Sequence, residues 1–203
     1  MKIIEQSRAP NPRRVRIFLA EKGITVPFEQ IDMMKMEHRA ATFTKLNPLQ
    51  QVPVLILDDG TAISESIAIC RYFEETQPEP ALFGRTAKER AIVEMWNRRI
   101  EHGLLFRVAQ TFRHTHPAMA PLEQPQIAAW AEASRARALE QLAMLDAELA
   151  GRAFVAGDSY TVADITALVA VDFLKPAKIE RPAGLANLDR WHAAVSARPS
   201  ATA

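Results

Sequence analysis

The stretch Asn47-Pro48-Leu49-Gln50-Gln51-Val52-Pro53-Val54-Leu55, with Ile63-Ser64-Glu65-Ser66 downstream of it, decides the fold. Residues 52–57 and 61–63 are rich in β-branched and aliphatic side chains and flank an Asp-Asp-Gly turn at 58–60, a pattern that predicts a hairpin. A proline near the start of a strand is unusual, because it cannot donate a hydrogen bond to the neighbouring strand. The pattern therefore indicates a special backbone conformation where this hairpin begins.

The backbone around Val52-Pro53 allows two interpretations. A cis peptide bond before Pro53 would bend the chain and leave the N–H and C=O of Val52 without strand partners. An extended peptide could then pair with both groups, as an added strand pairs with the edge of a sheet. The alternative is an ordinary trans proline, since cis bonds are a small minority even before proline.

The Ser64-Glu65-Ser66 cluster falls where the hairpin is predicted to give way to a helix. The free N–H groups and the dipole at a helix start favour a carboxylate, and the hydroxyl of Ser66 adds a donor. Glu65 could hold an ammonium group. A ligand with both charges on one carbon, such as an α-amino acid, would satisfy the cluster. The alternative is that Ser64 simply caps the helix.

Outward from this stretch, the first part of the chain alternates strand and helix patterns in the order β-α-β-α-β-β-α. A βαβ unit followed by a ββα unit results if the crossover is right-handed. The expected elements are a strand at 2–6, a helix at 12–22 that begins at Pro12 and stops at Gly23, a strand at 25–31, a helix at 37–45, the hairpin, and a helix at 64–76.

The remainder of the chain shows only helical periodicity. One long helix is predicted from apolar residues spaced by four: Ile92, Trp96, Ile100, Leu104, Val108 and Phe112. Further helices are expected at 128–149, 161–174 and 187–196. The prolines and glycine after residue 77 indicate a linker. The predicted domains are therefore 1–77, a linker at 78–86, and an all-helical domain at 87–203.

Composition and charge exclude several classes of protein. The 25 Lys and Arg residues nearly balance the 24 Asp and Glu residues, so nothing favours a nucleic-acid-binding surface. No stretch approaches the ~20 apolar residues that span a bilayer. The opening Met1–Gln6 turns polar too soon for a signal peptide, so we expect a cytoplasmic protein. The single cysteine, Cys70, lies in an apolar helical run and is interpreted as buried and structural rather than as a reactive thiol.

Four motifs in this order resemble the glutathione transferase family. They are Ala9-Pro10-Asn11-Pro12-Arg13-Arg14-Val15-Arg16-Ile17, the Asn47–Leu55 stretch, Glu65-Ser66, and Ala156-Gly157-Asp158-Ser159-Tyr160-Thr161-Val162-Ala163-Asp164-Ile165. The resemblance covers nearly the whole chain and is nearest to the bacterial theta- and delta-like branches. It implies an α/β thioredoxin-like N-terminal domain plus an all-α helical C-terminal domain, the glutathione transferase fold.

The resemblance also implies how glutathione, a co-substrate rather than a cofactor, is bound. Glu65 and Ser66 would hold the γ-glutamyl group, Val52 would pair with the cysteinyl backbone, and Pro53 would be cis. The residues expected to face the glycine carboxylate are Gln50, His38 and Lys35. The resemblance implies no metal.

The group that activates the thiol departs from the family pattern. Branches that use serine place a hydroxyl just before the first helix, where this sequence has Ala9. Asn11 is a first substitute: it is read as the helix N-cap with Pro12 behind it, its amide could donate to sulfur, and the positive helix end would favour a thiolate. Arg13 or Arg14 could assist. Capping alone is the alternative role for Asn11. Ser7 is a second substitute, although it could lie on the preceding strand and face elsewhere.

His114 is the third substitute. A neutral imidazole could accept the thiol proton directly or through water. The alternative is a solvent-facing histidine at a helix C-terminus, and a metal site with His116 is disfavoured because no third ligand is near in sequence. The predicted electrophile pocket consists of Ala9, Phe106, Gln110, Arg113 and His114.

The resemblance implies conjugation of the glutathione thiolate to hydrophobic electrophiles by a homodimer, and we expect no binding to nucleic acid or membranes. A non-catalytic glutathione-binding or scaffold protein is one alternative, which Ala9 makes credible. A glutathione-dependent reductase or peroxidase is another. The cysteine that forms a mixed disulfide is absent near residue 9, which counts against thiol-disulfide exchange but not against peroxidase activity. Thr161 and Asp164 are expected to form a capping box that stabilises a helix, with no catalytic role.

Overall fold

The β-rich runs of the N-terminal part form one four-stranded sheet in the computed structural model, which describes residues 1–203. Its strands are β1 (Lys2–Glu5), β2 (Phe28–Gln30), β3 (Val54–Ile56) and β4 (Ala62–Ser64), in the order β2-β1-β3-β4. β1 runs parallel to β2 and antiparallel to β3, and β3 is antiparallel to β4. The predicted mixed topology, βαβ followed by ββα, is confirmed.

Three α-helices accompany the sheet: α1 (Pro10–Lys22), α2 (Ala41–Leu46) and α3 (Ser66–Thr76). α1 stops at Gly23, which has the left-handed conformation (φ 64°) that glycine adopts without steric cost. The helices and strands enclose apolar side chains such as Ile3, Phe18 and Leu55, none of which is measurably exposed. Cys70 belongs to this core, and burial raises the pKa of its thiol to about 12, so its predicted structural role is confirmed.

The single helix predicted at 37–45 is wrong in its first part. Two short 3-10 turns, Met33–Lys35 and Glu37–Arg39, precede α2. Asp32 causes the first turn, because its carboxylate accepts hydrogen bonds from the N–H groups of Met34 and Lys35. Met36 then adopts a left-handed conformation that ends the turn.

The second part of the chain is helical. Its elements are α4 (Ala87–Ile100), a π-helical segment (Glu101–Leu105), α5 (Phe106–Thr115), α6 (Ala128–Leu149), α7 (Val162–Phe173) and α8 (Ala186–Ser196). The structure has two units, one formed by Met1–Ala81 with Pro199–Ala203 and the other by Leu82–Arg198. None of the helices combines the length and the apolar composition that a membrane-spanning segment requires.

The long helix predicted from residue 92 to 112 is divided by the π-helical segment. Steps of four residues exceed the 3.6-residue turn of an α-helix, so a stripe with this spacing drifts around a regular helix. The wider π turn absorbs the drift and keeps Ile100, Leu104 and Val108 buried in one line.

The capping box at the start of α7 is confirmed. One Asp164 oxygen accepts from the Thr161 N–H at 2.9 Å, and the Thr161 hydroxyl donates to the same oxygen at 3.2 Å. The other oxygen accepts from the Val155 N–H at 2.8 Å and the Trp191 indole N–H at 2.9 Å. These bonds of the fully buried Asp164 join the segment at Val155, the start of α7 and α8.

Candidate functional site

Val52 lies two residues before β3, which begins at Val54. The peptide bond between Val52 and Pro53 is cis, as predicted. The Val52 side chain is buried in a cluster with Phe43 and Val54, against which Ala9 and other partly buried residues pack. No backbone–backbone hydrogen bond outside the helices and strands involves the Val52 N–H or C=O. Neither group therefore has a backbone partner in these connections, as the prediction of a peptide-binding position requires.

Glu65 and Ser66 form the junction between β4 and α3. Ser64 pairs with Val54 in the sheet, so the alternative in which Ser64 caps the helix is wrong. Glu65 occupies the N-cap position without capping the helix through its side chain, and the first helical hydrogen bond runs from Ile69 N–H to Glu65 C=O at 2.9 Å. The amides of the first turn are consequently open to an anion.

The backbone of Glu65 has φ 68° and ψ 114°, a conformation that non-glycine residues rarely adopt. Such a conformation costs on the order of 1–3 kcal/mol and is found mainly at functional sites. The side chain is exposed and takes part in no ion pair of the protein. A free carboxylate is thus held beside open helical amides, an arrangement that suits a ligand with an ammonium and a carboxylate on one carbon.

The three residues predicted to face the glycine carboxylate lie in the segment between β2 and β3. The His38 side chain is only 4% exposed, and its Nδ1 has no hydrogen-bond partner. Burial, followed by the nearby charge of Arg39, lowers the pKa of His38, so the imidazole is neutral at pH 7. Lys35 extends into solvent, with its Nζ 3.5 Å from an Asp32 oxygen.

Gln50 also has a left-handed backbone, with φ 55°. Its side-chain amide donates to the Thr44 hydroxyl at 3.0 Å, and its backbone N–H donates to the Asn47 C=O at 2.9 Å. These contacts fix Gln50 in place and leave one of its two amide hydrogens for a ligand.

The interpretation of Asn11 as the N-cap of α1 is wrong, because the helix begins earlier, at Pro10, with Ala9 in the N-cap position. Proline is favoured at the first helical position because its fixed φ suits the helix and its missing N–H needs no partner. The first helical hydrogen bond runs from Arg13 N–H to Ala9 C=O at 3.3 Å. Pro10 and Pro12 have no N–H, so Asn11 supplies the one amide hydrogen of the first three helical positions.

The side chains around this helix start hold one another. The side-chain oxygen of Asn11 accepts a hydrogen bond from Arg14 at 2.8 Å. The hydrogens of the Asn11 side-chain amide take no part in this bond. Arg13 donates to the Ala201 C=O at 3.0 Å. Ser7 lies in a turn after β1, not on the strand, and lines a concavity of about 410 Å³ whose other residues are not predicted glutathione contacts.

His114 is not the solvent-facing histidine of the alternative interpretation, because its side chain is only 6% exposed. Its Nδ1 accepts a hydrogen bond from the Ile127 N–H at 3.1 Å. A neutral imidazole with an accepting Nδ1 carries its hydrogen on Nε2, which lies 3.8 Å from a Glu123 oxygen. His114 is therefore arranged to donate from Nε2.

The other predicted pocket residues of α5 have partners that the sequence did not reveal. Arg113 forms an ion pair with Glu123 at 2.6 Å. Gln110 accepts at 2.8 Å from the indole N–H of Trp130, on α6. The helical spacing of α5 predicted which of its residues share a face. Nothing in the sequence indicated that they contact Glu123 and Trp130. No group of three or more His, Cys, Asp or Glu side chains could hold a metal ion.

A thioredoxin-like α/β unit followed by a helical unit is the architecture of glutathione transferases. Residues 9–76 match the family described as Glutathione S-transferase, N-terminal domain, and residues 109–199 match Glutathione S-transferase, C-terminal domain. The chain is 37% identical to Glutathione S-transferase 2 of Saccharomyces cerevisiae, over 98% of this chain and 87% of the relative. The chain therefore belongs to the glutathione S-transferase family.

Solved structures give the same result. A glutathione S-transferase domain-containing protein from Marinobacter aquaeolei has a TM-score of 0.96 and 44% identity, covering 98% of this chain and 99% of that one. A class Gtt2 glutathione S-transferase of Vibrio parahaemolyticus has a TM-score of 0.87 and 37% identity, covering 98% and 95% of the two chains.

Proposed function

We propose that this protein is a glutathione transferase that joins the glutathione thiolate to small hydrophobic electrophiles. The observation that carries the proposal is Glu65, whose unpaired carboxylate stands at a strained backbone position immediately before the open amides of α3. The γ-glutamyl end of glutathione carries the matching ammonium and carboxylate on one carbon. Family membership supports the same ligand.

The remaining contacts follow from the chemistry of the tripeptide. The N–H and C=O of Val52 would pair with the cysteinyl residue, as in an added strand. Ser66 would donate its hydroxyl to the γ-glutamyl carboxylate. His38, Lys35 and Gln50 each have a hydrogen to donate to the glycine carboxylate, and the exposed Lys35 adds a positive charge.

Thiol activation is assigned to the start of α1. A free thiol has a pKa of about 8.5, and each unit by which the protein lowers it corresponds to about 1.36 kcal/mol. The N–H and side-chain amide of Asn11, with the positive end of the helix, would stabilise the thiolate. Ser7 stays a predicted alternative. His114 also stays a predicted catalytic residue, and it could accept a proton only after giving up its bond from Ile127.

The electrophile is assigned to Ala9 and to the side of α5 that presents Phe106, Gln110, Arg113 and His114. A homodimer, a cytoplasmic location and a place near the theta- and delta-like branches are proposed on the family resemblance.

Two other functions remain alternatives. Ala9, which has no hydroxyl to donate, favours a glutathione-binding scaffold without turnover. A glutathione-dependent peroxidase needs the same thiolate but no aryl acceptor.

The test is retention on immobilised glutathione together with turnover of 1-chloro-2,4-dinitrobenzene and of cumene hydroperoxide. The proposal predicts retention and conjugation. Retention without either turnover would favour the scaffold, and peroxide reduction alone would favour the peroxidase.

A further inference from the structure

Three side chains form a cluster on the surface of the helical unit, called here the aromatic–arginine cluster: Phe106 and Arg107 at the start of α5 and Trp130 near the start of α6. Phe106 is 42% exposed and Trp130 is 39% exposed. The guanidinium carbon of Arg107 lies 5.5 Å from the centroid of the Phe106 ring and 5.6 Å from that of Trp130. One cation therefore contacts two large aromatic rings that both face solvent.

The Trp130 ring is fixed in its orientation. Its indole N–H donates to the Gln110 side chain at 2.8 Å, so the polar atom of the ring is already satisfied. The Arg107 guanidinium already lies over this ring, so a ligand would stack on the part of its aromatic surface that stays exposed. Stacking on a fixed aromatic ring is favourable for any flat, electron-poor ligand.

Arg107 brings a positive charge that the protein does not neutralise. No ion pair of the structure includes Arg107. A guanidinium presents donors in a rigid plane that matches a carboxylate through two parallel hydrogen bonds. Covering this cation with a purely apolar partner would remove it from water without a counter-charge, which is unfavourable. The cluster therefore suits a ligand that is both aromatic and anionic.

We propose that the aromatic–arginine cluster binds planar aromatic carboxylates, with the ring stacked on Trp130 and the carboxylate held by Arg107. In the proposed transferase, this makes electron-poor aryl acids preferred electrophiles over uncharged aryl halides. The preference among electrophiles rests on the proposed function, whereas the binding of aromatic carboxylates does not.

Binding is tested without glutathione and without turnover. Of the three tryptophans, Trp96 and Trp191 are buried, so Trp130 is the one open to a quencher in solvent. The probes are 3,5-dinitrobenzoate and uncharged 1,3-dinitrobenzene, titrated against tryptophan fluorescence. We expect saturable quenching, with a Kd about tenfold lower for the acid. Arg107→Gln should abolish this difference, while Arg137→Gln, which removes an exposed arginine on α6, should preserve it.

Two results would overturn the binding proposal. The first is that the two probes bind with equal Kd, or that the lower Kd of the acid persists in Arg107→Gln. The second is that Trp130 is already shielded from iodide in the ligand-free protein and that Trp130→Ala converts a dimer to monomers. The cluster would then be a contact between copies of the chain.

Turnover is tested with a matched pair of acceptors, 4-chloro-3,5-dinitrobenzoate and 1-chloro-2,6-dinitrobenzene. In both, a C–S bond forms at the carbon that bears chlorine, the C–Cl bond breaks, chloride leaves with the electron pair, and the thiol proton passes to solvent. We expect Arg107→Gln to lower kcat/KM about tenfold for the acid and less than about twofold for the uncharged acceptor. Equal losses would contradict the proposed preference. Wild-type protein that binds the acid but converts neither acceptor would contradict the transferase function and leave the binding site standing.

Discussion

Glu65 combines three properties at one position: a carboxylate without an ionic partner, a left-handed backbone, and a place directly before the open amides of α3. The amino-acid type at such a position can be recognised in a sequence. The backbone conformation cannot, because it results from the register of β3 and β4 and the packing of α3. The same applies to Gln50, whose left-handed backbone has no local sequence signal.

Glu65→Gln tests whether this carboxylate holds the γ-glutamyl ammonium. Hydrogen bonds to charged groups contribute about 1.5–3 kcal/mol, so the Kd for glutathione should rise about tenfold to a hundredfold. Cysteinylglycine lacks the γ-glutamyl group, so its binding should not change. Calorimetry measures the binding of both ligands.

The control is Glu75→Gln, which removes an exposed carboxylate at the far end of the same helix. Equal losses for both ligands would indicate distortion of the site instead.

Asn11→Ala isolates the side chain of the proposed thiolate site, because the backbone N–H stays. The pH at which enzyme-bound glutathione ionises should rise by about one unit, corresponding to roughly 1.4 kcal/mol. The thiolate absorbance in the ultraviolet follows this titration directly. An unchanged titration in Asn11→Ala, together with a shifted one in His114→Gln, would transfer the role to His114.

His38 gives the stability of the protein a defined pH dependence. Burial lowers its pKa below the ordinary value of 6.5, so the unfolded chain binds this proton more readily than the native state does. The contribution of His38 to the free energy of unfolding should therefore decrease as the pH falls below about 6.5. His38→Gln should reduce the decrease, as measured by urea unfolding between pH 7.5 and 5 (approximate limits set by the histidine range). The same slope in wild-type and variant protein would refute this assignment.

At the scale of elements, Lys22 connects the end of α1 to the end of α3 and the chain beyond it. Its buried ammonium forms a 2.7 Å ion pair with Glu74 and donates to the C=O groups of Gln77 and Pro80. The helix ending at Lys22 was predicted from the stop signal at Gly23. The three contacts of its last residue were not, since they join parts of the chain far apart in sequence.

Lys22→Met should lower the free energy of unfolding by about 3–5 kcal/mol, because it leaves a buried carboxylate and two carbonyl groups without their cation. Chemical unfolding monitored by fluorescence gives the value. The exposed Lys45→Met serves as the control and should change it by less than about 0.5 kcal/mol. A loss in Lys22→Met as small as the control's would mean that the ion pair is dispensable.

Helices with a regular apolar pattern were predictable, whereas deviations from regular geometry were not. The bounds of α6 match the prediction at 128–149, because its buried Leu142, Leu145 and Leu149 repeat at helical spacing. The π-helical segment escaped prediction because a step of four residues is compatible with an ordinary helix over a few turns. The early start of α1 escaped because either Pro10 or Pro12 could occupy the first position.

For the whole molecule, the fold class followed from the order of elements and the family resemblance, and the structure and its relatives confirm it. The candidate site was predictable by residue type, because Val52, Glu65 and Ser66 belong to motifs. The environments of His38 and His114 were not, since no local sequence pattern showed that these two side chains are buried. The aromatic–arginine cluster likewise depends on the packing of α6 against α5.

In the proposed function, one chain binds one glutathione through the backbone of Val52 and the Glu65–Ser66 junction. Titration calorimetry of the wild-type protein with glutathione measures this binding. We expect saturable heat with one site per chain and a Kd well below about 1 mM, the affinity that corresponds to roughly −4.1 kcal/mol. The absence of saturable heat at millimolar glutathione would contradict it.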